Sequence, residues 1–66
     1  KTRQELDDRN GMAISYVNVA NILNESGQRA DALQQAEEAI RISKEIGAKY
    51  TLIAAHAYAG QAYEGL

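Results

Sequence analysis

The sequence predicts an all-α fold, and three observations carry that expectation. Proline is absent while alanine and other good helix formers dominate, so five glycines are the chain's only punctuation. β-Branched residues are scattered and never alternate over the length of a strand. Apolar residues instead recur at three- and four-residue intervals, the period of a helix with a buried stripe.

Helices are expected over about 1–7, 9–26, 29–46 and 49–64. The first has Leu6 as its apolar anchor, with Glu5 spaced to pair with Arg9. The second carries a wide apolar face of Met12, Ala13, Tyr16, Val19, Ala20 and Leu23, which Ile14, Val17 and Ile22 extend. Only Ser15, Asn18, Asn21 and Glu25 interrupt it, as a narrow polar stripe. A helix so apolar is expected to lie between neighbours on two sides. Ser26-Gly27 ends it, with Gly27 as the terminating glycine.

The third helix is amphipathic. Ala32, Leu33, Ala36, Ala39, Ile40, Ser43 and Ile46 fall within an arc of about 140°. Gln34, Glu37, Glu38, Arg41, Lys44 and Glu45 lie opposite, and Glu37 is placed to pair with Arg41. That charged face is most simply a solvated surface. Gly47 supplies a left-handed stop. In the last helix Leu52, Ile53, Ala55, His56, Ala59, Gly60 and Tyr63 form the apolar reading. Its many small residues allow close helix–helix approach.

Composition narrows the function classes. Sixty-six residues make at most one small domain, which buries only about 60% of the surface its unfolded chain exposes. There is no cysteine and a single histidine, so neither disulfides nor a metal cage can staple it. The redox compartment is unreadable without cysteines, although their absence gives no support to a disulfide-stapled secreted fold. Localisation is left unknown, with a cytoplasmic setting favoured. The net charge is −2 with both signs dispersed, so no basic patch marks a nucleic-acid surface. No apolar run approaches the roughly 20 residues that span a bilayer, and no signal peptide opens the chain. The helical pattern is still running at Glu64-Gly65-Leu66, which reads as a segment of a longer protein.

Catalytic chemistry finds little to work with. A lone His56 on an apolar face is expected to be structural, since no serine or cysteine partner stands at motif spacing. One histidine and scattered carboxylates match no metal-ligand pattern. Gly11, Gly27 and Gly47 are too far apart to cradle a phosphate. No enzyme activity and no cofactor are expected.

The chain also resembles itself when shifted by 40 residues. Residues Lys1 to Leu6 align with Arg41 to Ile46, Tyr16 with His56, Val19-Ala20 with Ala59-Gly60, and Leu23 with Tyr63. The spacing Tyr16-x2-Val19-Ala20-x2-Leu23, then Gly27, Ala32-x3-Ala36 and Ala39, resembles the tetratricopeptide repeat. A second copy begins at His56-x2-Ala59-Gly60-x2-Tyr63. The chain departs from the pattern at Ala36, where a large aromatic is usual, and near Lys44, where the pattern ends its helix with proline. Without that proline the helix runs to Ile46, which lengthens the repeat to 40 residues. The chain is thus similar to the long variant found in kinesin light chains, Leu-Gly-Asn-repeat adaptors and bacterial peptide-sensing regulators.

The resemblance implies antiparallel helix-turn-helix units of an α-solenoid, about one and two-thirds repeats, acting as a protein–protein interaction scaffold. In that family the first helix of each repeat lines a concave groove where a partner protein or peptide lies. Carried over residue by residue, the groove set is Ile14, Val17, Asn18, Asn21 and Glu25, then Ala54, Ala57, Tyr58 and Gln61. The two asparagines could hydrogen-bond an extended peptide backbone, having both donors and acceptors. Tyr58 adds an aromatic contact there or packs on an adjacent helix. The alternative to a binding groove is a spacer or self-associating segment. Leu52, Ile53, Ala59 and Tyr63 are left for a further helix to cover, so dimers or higher assemblies are expected.

Overall fold

The structure is a computed structural model that describes residues 3–65. It holds three helices: α1 (Arg3–Glu25), α2 (Arg29–Ile46) and α3 (Lys49–Gly65). No strand occurs among the described residues. The short links at 26–28 and 47–48 turn each helix back along its predecessor, so α2 runs antiparallel to both neighbours. The bundle measures 38 × 15 × 14 Å, its long axis close to the length of α1.

Both turns rest on a glycine in the left-handed region, Gly27 at φ 80° and Gly47 at φ 70°. At the end of α1 the Gly27 N–H donates to the Asn24 carbonyl at 3.2 Å and the Gln28 N–H to that of Leu23 at 2.8 Å. These bonds satisfy carbonyls that a helix end otherwise leaves unpaired. At the end of α2 the Gly47 and Ala48 N–H groups both reach the Ser43 carbonyl. Left-handed backbone costs an L-residue about 1–2 kcal/mol, which is why glycine stands at each turn.

One boundary differs from the sequence expectation. The separate helices expected over 1–7 and 9–26 are a single continuous helix across Asp7-Asp8 and through Gly11. Lys1 and Thr2 lie outside the described residues. A helix commonly ends at a residue that turns left-handed. Among the described residues only Gly27 and Gly47 do so. Asp7 stands 40 residues before Gly47, and it simply continues the helix.

The core is made mostly of alanine. Val17, Ala39 and Ala55 form one cluster, with Tyr16, Ile40, Ala54 and Tyr58 packed around it. Ala20, Ala36 and Ala59 form a second, flanked by Leu33, Ile40 and Tyr58. Small buried residues from all three helices let the backbones approach closely, while half-buried tyrosine, leucine and isoleucine close the edges. The room beside Ala36, where an aromatic was expected from the family pattern, is bordered by Tyr58 from α3. The buried stripe expected on α2 is present at Ala32, Ala36, Ala39 and Ser43, and Ile42 joins it at 3% exposure.

The partner of Arg41 differs from the expected one. Arg41 bonds Glu38 at 2.9 Å rather than Glu37, and its second nitrogen lies 3.8 Å from Glu45. The hydrogen bond and charge of Glu38 push the Arg41 guanidinium still further above its ordinary range, so it carries charge at every physiological pH. Arg9 reaches across to Glu45 and ties α1 to α2. Such exposed pairs contribute at most about 1 kcal/mol each.

Candidate interaction groove

Successive residues on α1 turn by about 100°, which separates three faces. Ala13, Val17, Ala20 and Asn24 lie on the buried face. Ile14, Asn18, Asn21 and Glu25 form a second face on one side of it. Met12, Ser15, Val19 and Ile22 form a third on the other side, and all four are exposed.

The second face borders α3. Ile14 and Val17 of α1 and Ala54 of α3 line a shallow apolar pocket of about 240 Å³, together with Tyr50 and Thr51. Asn18 is exposed and Asn21 half-buried on the same side of α1, and Glu25 continues that line to the helix end. Neither asparagine side chain bonds another described residue. The site therefore pairs an apolar recess with two uncommitted amides and one carboxylate.

The remaining expected residues fall elsewhere. Tyr58 packs against both core clusters and works as a pillar between α1, α2 and α3. Val17, only 8% exposed, offers the pocket little more than its edge. Ala57 is exposed but lies on α3 about 60° away from Ala54. Gln61 is exposed and bonded rather than open, its Oε1 accepting from Asn24 Nδ2 at 3.5 Å.

Asn24 itself was missed in the sequence. It is 3% exposed, donates from Nδ2 to the Tyr58 carbonyl at 3.2 Å and accepts at Oδ1 from Arg29 Nη1 at 3.3 Å. One buried amide thus joins α1, α2 and α3. Its signal was its place after Ala13, Val17 and Ala20 at helical spacing, which puts it on the core stripe. Tyr50 and Thr51 were also missed, although Tyr50 precedes Ala54 by one helical turn. The Thr51 hydroxyl donates to Asn10 Oδ1 at 3.2 Å and holds the start of α3 against α1.

His56 is exposed on α3, away from this pocket. Among the described residues, no group of three or more His, Cys, Asp or Glu could hold a metal ion. No described helix is long and apolar enough to cross a membrane. A second open recess of about 530 Å³ lies on the third face of α1, along Gly11, Met12, Ser15 and Tyr16. Comparison with protein-family models, curated proteins and solved structures finds nothing that matches this chain.

Proposed function

We propose that this chain is a protein-interaction module of the tetratricopeptide type, whose α1/α3 groove takes an extended peptide. The observation that carries the reading is the apolar recess at Ile14, Val17, Tyr50 and Ala54, with the unbonded amides of Asn18 and Asn21 further along the same side of α1. An apolar side chain of the peptide enters the recess while the amides bond its backbone, a division of labour common to peptide sites.

The repeat half of the reading draws support from burial. Residues that α1 buries, Ala13, Val17, Ala20 and Asn24, have exposed counterparts 40 residues on: Ile53, Ala57, Gly60 and Glu64. Residues that α1 exposes, Ser15, Val19 and Ile22, have buried counterparts at Ala55, Ala59 and Ala62. One pattern used on opposite sides of α2 is what stacking of successive units requires.

Screening the intact chain against a peptide library tests the groove. Substituting Ile14→Asp, and separately Asn18→Ala with Asn21→Ala, is expected to weaken the selected peptides about tenfold, the loss of roughly one good contact. Unchanged binding by the double asparagine variant overturns the reading. The alternative, a self-associating segment, is favoured by the exposed apolar residues on the outer side of α3, Ile53 and Tyr63.

A further inference from the structure

We propose that the outer face of α3 pairs antiparallel with the same face of a second copy of this chain. The face consists of Lys49, Ile53, Ala57, Gly60 and Glu64, which lie within an arc of about 80° and point away from the buried stripe Ala55, Ala59 and Ala62. All five residues are exposed. For the last four, the positions 40 residues earlier are the ones with which α1 receives α2.

Gly60 lies in this face, and like Gly11 inside α1 it has no neighbour that would meet a side chain. A glycine inside a helix is about 1 kcal/mol less favourable than alanine, and nothing within 4 Å would touch a methyl group added there. Packing within the chain therefore gives no reason for it. A second helix approaching closely does.

The pattern is its own complement. Lys49 and Glu64 stand equally far from the His56–Ala57 midpoint, as do Ile53 and Gly60. A two-fold axis at that midpoint sets Ile53 over the Gly60 of the second copy, and Lys49 beside its Glu64, twice over. A parallel pair would instead set Lys49 against Lys49 and Glu64 against Glu64, and would oppose the two isoleucines while leaving a gap between the two glycines. Charge and volume both select the antiparallel arrangement. Neither Lys49 nor Glu64 has an ion-pair partner among the described residues, so both remain available. A two-fold interface closes at two copies and leaves the α1/α3 groove on a different face.

One short helix per copy makes a small interface, so association belongs to the weak class and is measured by sedimentation equilibrium from about 5 μM to about 1 mM. The chain is expected to shift from monomer to dimer within that range. Lys49→Glu and Glu64→Lys should each weaken the dimer about tenfold, because each replaces two attractive contacts by two repulsive ones. The combined swap should restore wild-type association, and mixing the two single variants should give a heterodimer in preference to either homodimer. Ile53→Asp, at an exposed position, should abolish association with helicity by circular dichroism unchanged. A monomer across the whole range overturns the proposal and gives the face to a different helix. So does a swap as weak as the single variants, or an Ile53→Asp dimer as tight as wild type.

Discussion

Positions of α1 and α3 that stand 40 residues apart meet α2 with opposite faces. α1 offers Ala13, Val17, Ala20 and Asn24, while α3 offers Ala55, Ala59 and Ala62. Each helix leaves open what the other buries. Met12, Val19 and Ile22 are 52%, 42% and 61% exposed on α1, and Ile53 and Tyr63 are 59% and 63% exposed on α3. A helix apolar over most of its circumference can serve either side of a layer. Which side it uses depends on where its neighbours stand.

Paired substitutions at matched positions put this asymmetry under the heaviest load. Ala20 is fully buried between Ala36 and Ala59, so Ala20→Leu should cost about 2–3 kcal/mol through overpacking, read as a lowered midpoint in urea. A domain of this size rarely holds more than about 3–5 kcal/mol, so that variant should be largely unfolded at room temperature. At the matched position on α3, Gly60→Ala should instead stabilise by about 0.5–1 kcal/mol, since the added methyl meets only open space. Equal effects at the two positions would dissolve the comparison.

The second pair is Asn24 and Glu64. Asn24→Ala removes the buried amide that joins three helices and strips partners from Gln61 and Arg29, for an expected loss of about 1–2 kcal/mol. Glu64→Ala, exposed at the matched place, should stay within about 0.5 kcal/mol in dilute monomeric solution. Native-state hydrogen exchange on α3 should report the difference, because Asn24 holds its C-terminal half.

The last expected change concerns the helix that both share. Ser43 is fully buried in α2, and its hydroxyl has no hydrogen-bond partner among the described residues. Ser43→Ala should therefore raise stability by about 1 kcal/mol, seen as a higher thermal midpoint. A loss on this substitution would mean that the hydroxyl is bonded in solution.

The sequence made some of this legible for definable reasons. The α2 stripe could be read because its apolar and charged residues separate cleanly around the helix, and both turns because only glycine takes left-handed backbone without cost. α1 could not be apportioned that way. Its apolar residues surround most of the helix, so periodicity gave no means of telling Val17, which is buried, from Val19, which is exposed. The break expected before Arg9 is absent because Asp7 continues the helix, whereas Gly47 turns left-handed at a cost lower than aspartate would bear. Within the groove set, Ile14, Val17 and Ala54 share one recess, whereas Tyr58 went into the core because it stands beside small alanines on both other helices.

By itself, then, the sequence determined that the chain is helical, where α2 and α3 begin, and that alanines would line close helix contacts. Those properties depend on local propensity, turn chemistry and the helical period, all of which act over a few residues. Tertiary structure alone decided which face of α1 and of α3 turns toward α2, that Asn24 becomes a three-helix junction, and that Tyr50 borders the recess. Each of these depends on contacts between residues far apart in the chain, where several faces satisfy the same local pattern. The packing of all three helices selects one.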